Sequence, residues 1–533
     1  MEEKPESTQS SNDHLFLTIA VTLFLGLLVT KLQLGLKWYW ENHPVKLVLS
    51  FQLVLLTVIS ILGSFLWNRR CKADFERSIT EKDNGSVPFG TNDTGQELHL
   101  KRRYRTSHTQ VIGTTSAGKT ESVILPWIVN DIEQGAGTLI IDGKSDKSFL
   151  DKLYSYCVKA GREEDFKLFS LAHIGQSTPF NPLSGASPLV VAERVFSSFP
   201  MDNEYYKSVQ FKLFLSAIHL LHERKELSFD GAYRLLTDKN ALGDALGKTK
   251  LTSGINEIEK FYHSSERVRE EKVSGLTSQL SYFTQGELRD LFVSTENAID
   301  LDKALSENSI CYFQLPTMYY PFVAEATGKL VLQCFQSAVS KRHLGLSGKP
   351  DFFSVFLDDF QDYIYPGFSG LLNKSRSANI GVVFSHQSLG DLEKVGTYFK
   401  NVVLTNTNVK CIMRNNDPDT CDYFSRSLGT RKGEKRTETR IKNILGDSKT
   451  GMGSVREVEE FVYHPNVIKQ LGIGEAIVTV PHSKGVRIEQ VQFSMIPNIE
   501  PVPLKKTEKK EEKKGEQQVN SKETQVQTEN FPL

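Results

Sequence analysis

Hydrophobic positions first appear as two continuous runs, from Leu15 to about Leu36 and from Val45 to Trp67. Each is close to the ~20 residues that cross a bilayer core. The link Trp38-Tyr39-Trp40-Glu41-Asn42-His43-Pro44 puts aromatic rings at headgroup level, and Asn68-Arg69-Arg70-Cys71-Lys72 supplies a cationic stop. The pattern predicts a transmembrane hairpin (spans about 15–36 and 45–67) after a cytoplasmic segment 1–14, with both chain ends in the cytoplasm. A cleaved signal peptide fits poorly with the acidic Glu2, Glu3, Glu6 and Asp13. A buried helical hairpin in a soluble core is the other reading. At the far end, Lys505 to about Asn530 is nearly free of large apolar residues and predicts a disordered charged tail, 504–533.

Between Arg69 and Pro503, short β-type apolar runs alternate with longer helical ones, the signature of an α/β domain with a mostly parallel sheet. The first strong run, Thr109-Gln110-Val111-Ile112, leads into Gly113-Thr114-Thr115-Ser116-Ala117-Gly118-Lys119-Thr120, a full GxxxxGK[ST] match. A helical stretch and a second strand, Thr138 to Asp142, follow in the required order. Gly113 and Gly118 let backbone N–H groups wrap a phosphate at a helix start. Lys119 can then reach the β- and γ-phosphates and Thr120 can coordinate Mg²⁺. The apolar strand Phe352 to Leu357 ends in Asp358-Asp359, the form of a Walker B element. In that reading Asp358 holds the Mg²⁺ shell and Asp359 orients or deprotonates the attacking water; two acids capping a following helix would look similar.

A further strand, Ile380 to Phe384, closes on Ser385-His386-Gln387-Ser388. Gln387 is placed to sense a γ-phosphate or its water, or is simply a polar strand end. Arg376, between the two strands, is either a finger reaching a neighbouring subunit's nucleotide or a surface arginine.

The chain's 533 residues allow two to four domains. Lys and Arg number 64 against 64 Asp and Glu, so no global field points to nucleic acid or membrane, and any such surface is local. Two basic clusters qualify: Lys101-Arg102-Arg103-Tyr104-Arg105, and the segment holding Arg426, Arg431, Lys432, Lys435, Arg436, Arg440 and Lys442. Either could meet DNA phosphates or merely be solvated, and the first could also meet anionic lipid. Six cysteines without CxxC spacing indicate reduced thiols rather than a disulfide scaffold or zinc site.

The ordered set GTTSAGKTES, IIDGKSDKSF, FNPLSG, FLDDF, NKSRSANIGVVFSHQSLGDL and NTNVKCIMRNNDPDTCDYFSRSLG, with the late Leu471 to Val478 strand, resembles the type IV secretion coupling proteins, the TraD/TraG-like ATPases of conjugation. The resemblance covers most of Leu15 to Val480. It implies a RecA-like P-loop NTPase domain (68–188 and 301–503) with an inserted all-helical domain (189–300), anchored in the inner membrane and hexameric. It implies ATP and Mg²⁺ as cofactors. Its substrates would be DNA with its relaxase, or effector proteins, delivered to a type IV secretion channel. It assigns Lys119 and Thr120 to Walker A, Asp358 and Asp359 to Walker B, Gln387 to a glutamine sensor and Arg376 to a trans-acting arginine. Two departures stand out: Asp359 where the family commonly has Glu, and Asp142-Gly143-Lys144 where Asp-Pro-Lys is usual. An ATP-binding receptor with little hydrolysis, or a DNA translocase of the FtsK kind, are the alternatives.

Overall fold

The computed structural model describes residues 55–67, 69, 79–201, 203–250, 254–345, 351–443, 446–482 and 485–504, with the backbone alone at 436–443 and 446–454. The chain divides into two compact units, Met1–Ser78 and Ile79–Leu533. In the first, 55–67 is helical and its large apolar side chains, among them Leu56, Ile61, Phe65 and Trp67, are exposed. No helix of the described residues is long and apolar enough to cross a membrane. The first predicted span and the start of the second lie outside the described residues, as does the charged tail from 505 onward.

The second unit is organised on a mixed sheet. Its strands are β1 (Val87–Asn92), β2 (Glu97–Leu100), β3 (Thr109–Ile112), β4 (Gly137–Asp142), β5 (Phe166–Ser170), β6 (Ile310–Gln314), β7 (Phe353–Asp358), β8 (Ile380–His386), β9 (Val409–Met413), β12 (Glu475–His482) and β13 (Gly485–Gln492). β10 (Thr430–Asn443) and β11 (Gly446–Phe461) pair separately as a long antiparallel ribbon. Among the described residues the main sheet is eleven-stranded, in the order β2-β1-β13-β12-β9-β3-β8-β7-β4-β6-β5. From β9 to β5 every neighbouring pair is parallel, as the buried apolar runs predict. Beyond β9 the sheet turns antiparallel, because β12 and β13 form a hairpin and β1 and β2 add to its free edge. The expectation of a mostly parallel sheet therefore holds for the central part and not for this wing.

Side chains alternate between two cores with the period of a strand. Leu139, Ile141, Val355 and Leu357 enter one, while Ile140 and Phe356 enter the other with Trp127 and Ile128 of the helix Leu125–Glu133. The first core continues without a break into the helical run from Pro188 to Ser281. There Phe229 stacks on Phe283 with centroids 4.5 Å apart, and Phe199 stacks on the same ring. Within this run Asn203, Ser228 and Asp238 accept backbone N–H groups at helix starts, which sets where the helices begin.

The first basic cluster is not a free cationic patch. Arg105 is buried and forms two 2.6 Å hydrogen bonds to the carboxylate of buried Asp131. Tyr104 is buried, and the guanidinium of Arg102 lies over the Phe352 ring. Burial of Arg105 against the sheet consumes a charge that the sequence presents as available, while Arg103 stays exposed.

Candidate nucleotide site

The phosphate loop is shaped by close backbone packing at the carboxyl end of β3. A Cβ on Gly113 would lie 2.9 Å from Cβ of Met413, and Gly118 adopts φ +97, so neither position accommodates a side chain without strain. Thr114 N–H donates to the Arg414 carbonyl at 2.9 Å, and Ala117 N–H to the Thr114 carbonyl at 3.2 Å. Thr115 and Ser116 stay exposed, Ser116 at φ 65. Gly474, just before β12, donates its N–H to the Ala117 carbonyl at 3.0 Å, so the late strand predicted from sequence closes the loop's outer side. The helix that follows starts with a π-helical turn, Lys119–Ile124, before becoming α-helical.

Lys119 is buried, and its Nζ donates to the loop carbonyls of Gly113 (2.7 Å) and Thr114 (3.2 Å). Burial lowers its pKa, opposed by the carboxylates of Asp358 and Asp359. Thr120 Oγ1 donates to Asp358 Oδ2 at 2.6 Å. Ser385, at the end of β8, donates to the other oxygen of Asp358 and accepts the N–H of Asp359 at 3.2 Å. Asp359 itself sits at φ 49, left-handed for a residue with a side chain, and its Oδ2 lies 3.2 Å from Lys144 Nζ.

The carboxylates crowd one another. Burial and then the charge of Asp359 raise the pKa of Asp358. Burial and then Asp358 push Asp142 up to about 6, although Tyr312 and the N–H groups of Lys144 and Ser145 donate to it. Burial would lower the pKa of Lys144, but the attraction of Asp359 and Asp358 outweighs it and the net shift is upward. A hydroxyl and a carboxylate in contact are hard oxygen donors, and among the described residues no group of three or more His, Cys, Asp or Glu could cage a metal. That set suits Mg²⁺, which keeps waters and phosphate oxygens and takes few protein ligands.

The predicted residues divide into those brought together and those held apart. Gly113 to Thr120, Asp358 and Asp359 converge at one edge of the sheet. Gln387 follows β8 at the same edge; its N–H donates to Asp391 at 2.9 Å and its carbonyl accepts from buried Asn415 at 2.7 Å, while its side chain is exposed. Arg376 precedes β8 at the opposite edge, next to His108, and is exposed. Strand polarity thus keeps it away from the phosphate loop of its own chain. The sequence names Lys144 only within the Asp142-Gly143-Lys144 departure and Ser385 only as a strand end, and gives neither a role. The further signal was position, since each lies at or just past the carboxyl end of a strand neighbouring β7.

Residues 353–472 match the family model described as the TraM recognition site of TraD and TraG. The type 4 coupling protein DotL of Legionella pneumophila is 23% identical over 439 residues, covering 68% of this chain and 55% of DotL. The chain thus spans about half the length of that relative. Among solved structures, the unbound bacterial conjugative coupling protein TrwBdeltaN70 superposes with a TM-score of 0.57 at 15% identity over 81% of this chain and 93% of its own. TrwB in complex with ADP and Mg²⁺ gives 0.56 at 14% over 80% and 94%. VirB4 of Thermoanaerobacter pseudethanolicus gives 0.51 at 13% over 78% and 98%. The fold is the TrwB-like α/β P-loop NTPase fold with a mixed sheet, and the resemblance to type IV secretion coupling proteins is borne out.

Proposed function

We propose that this relative of the type IV coupling proteins is an ATPase that couples a DNA–relaxase or effector substrate to a type IV secretion channel. The observation that carries the reading is the Thr120–Asp358 hydrogen bond, which joins a phosphate loop to a buried strand-end carboxylate with Lys119 alongside. Bound Mg·ATP would supply the reactive phosphoanhydride and a cation that neutralises developing charge. The loop N–H groups and Lys119 hold the phosphates, Thr120 and Asp358 hold the metal, Asp359 directs a water, and Gln387 senses the terminal phosphate. Arg376, which sits across the sheet from the loop of its own chain, would act on the nucleotide of a neighbouring copy in a ring that the family resemblance gives as hexameric.

The helical run 189–300 serves as the inserted domain of this motor, and the apolar runs 15–36 and 45–67 anchor it in the inner membrane with the ATPase body in the cytoplasm. Partners would be a relaxosome or effectors and channel components, and the match of 353–472 to a TraM recognition site supports a partner surface within that segment.

The test is steady-state ATP hydrolysis by the full chain, with and without single- and double-stranded DNA, alongside Lys119→Ala. A rate stimulated severalfold by DNA and abolished by the substitution is expected. Tight ATP binding without turnover would turn the reading toward an ATP-binding receptor.

A further inference from the structure

Asp142, Gly143 and Lys144, which follow β4, have no role in the reading above, yet they are built tightly into the site. Asp142 accepts the N–H of Lys144 at 2.8 Å, the N–H of Ser145 at 3.1 Å and the Tyr312 hydroxyl at 2.7 Å. Ser145 is thereby held at φ 62. The Gly143 carbonyl accepts Thr317 N–H at 3.2 Å, and the Thr317 hydroxyl lies 3.0 Å from that carbonyl and 2.9 Å from Asp362. A Cβ on Gly143 would come 3.2 Å from Asp362 Oδ2 and 3.6 Å from Asp359 Cβ, so the turn is packed directly against the second Walker B acid.

From this fixed turn the Lys144 side chain reaches back over the site. It is 55% exposed, whereas the Asp359 carboxylate that it pairs with is 5% exposed. The Asp359 backbone is fixed in a left-handed conformation with its N–H donated to the Ser385 hydroxyl, and its carboxylate is buried; the ammonium sits on a flexible four-carbon stem in partial contact with water. Both lysines of the site rest on oxygens of the protein itself, Lys119 on loop carbonyls and Lys144 on Asp359. A terminal phosphate carries more charge and more acceptor oxygens than one carboxylate, and so competes effectively for a movable ammonium.

We propose that Lys144 adds a second, movable contact that helps to distinguish a triphosphate from a diphosphate: it pairs with Asp359 when no γ-phosphate is present and transfers to the γ-phosphate when one is, releasing Asp359 to act on water. This rests on the nucleotide reading of the site. It gives the Lys144–Asp359 ion pair a switching role, since a carboxylate engaged by an ammonium is a poor acceptor for a proton from water.

The experiment is calorimetric titration of the full chain with Mg²⁺ and either ADP or a non-hydrolysable ATP analogue, for the wild type, Lys144→Met and Lys144→Arg. Loss of one charge-assisted contact made only to the γ-phosphate should weaken analogue binding about tenfold or more. ADP affinity should stay within about twofold, which also reports that the site is folded. Lys144→Arg should keep most of the preference. Equal weakening of both nucleotides, or no change in either, would overturn the proposal while leaving the nucleotide site standing. A wild-type chain that binds neither nucleotide would instead overturn the reading of the site, and the proposal with it.

Discussion

The hydroxyl of Thr120 donates to Asp358 Oδ2 at 2.6 Å, joining residues 238 positions apart in sequence. On the proposed reading the two are the oxygen ligands that a nucleotide-bound Mg²⁺ would take from this chain. Thr120→Val removes one of them while Ser385 still holds Asp358. Nucleotide affinity measured with Mg²⁺ is expected to fall about tenfold, and affinity in excess EDTA to stay the same. An equal loss in both conditions would mean that the substitution damages the loop rather than a metal ligand.

Asp359→Asn keeps the size of the side chain and removes its capacity to accept a proton. Hydrolysis should drop by about 100-fold or more with ATP still bound, as expected for loss of a general base. Single-turnover rates beside equilibrium binding separate the two effects. Unchanged turnover would transfer the role of water activation elsewhere.

Arg376 lies at the sheet edge opposite the phosphate loop, so its effect should appear only between chains. Lys119→Ala and Arg376→Ala are each expected to be inactive alone. Mixed, they should recover part of the activity, because some interfaces then pair an intact loop with an intact arginine. Mixing experiments that recover nothing, across a range of concentrations, would count against a trans role.

Arg105 and Asp131 form a fully buried, doubly hydrogen-bonded ion pair, each 1% exposed. Removing one partner strands the other charge in the core. Asp131→Asn should therefore cost about 3–5 kcal/mol of stability, read as a lower urea midpoint. A change too small to resolve would show that water reaches the site.

Acid should destabilise the protein through its buried histidines. Nδ1 of His108 accepts the Val382 N–H at 3.2 Å and Nε2 faces the Leu372 carbonyl at 2.9 Å, an arrangement only the neutral ring satisfies. Burial lowers the pKa values of His108 and His386 to about 4. Between about pH 6.5 and 4 the unfolded chain takes up protons that these folded rings do not, so stability falls as pH falls, by up to about 3 kcal/mol for His108. Asp142 acts in the opposite sense over part of this range, since burial raises its folded value to about 6 and protonation below that favours the folded form. Urea midpoints at pH 7 and pH 5 should show the loss, and His108→Gln should make it smaller. An identical slope in the variant would remove His108 from the account.

Much of the site was legible because its chemistry is local. The run from Thr109 to Thr120 carries its own strand, glycines and helix start, and Phe352 to Asp359 carries a buried strand with acids at its end. The parallel part of the sheet followed from continuous apolar runs for the same reason. The antiparallel wing was not legible, since its two local pairs, β1–β2 and β12–β13, are joined only by β1 meeting β13 across nearly the whole chain. Nor was the fate of Arg105, whose charge reads as free until Asp131 is folded against it.

The amino-acid sequence by itself determined which backbone segments could wrap a phosphate and which strands would be buried on both faces, because those depend on glycine, residue period and nearest neighbours. Tertiary structure alone decided that Lys144 meets Asp359, that Ser385 bridges Asp358 and the Asp359 backbone, and that Arg376 lies at the opposite end of the strands from its own nucleotide loop. Those relationships depend on the order of strands in the sheet. In a parallel sheet, residues at the carboxyl ends of adjacent strands come within a few ångströms whatever their separation in sequence, and no local pattern records which strands become neighbours.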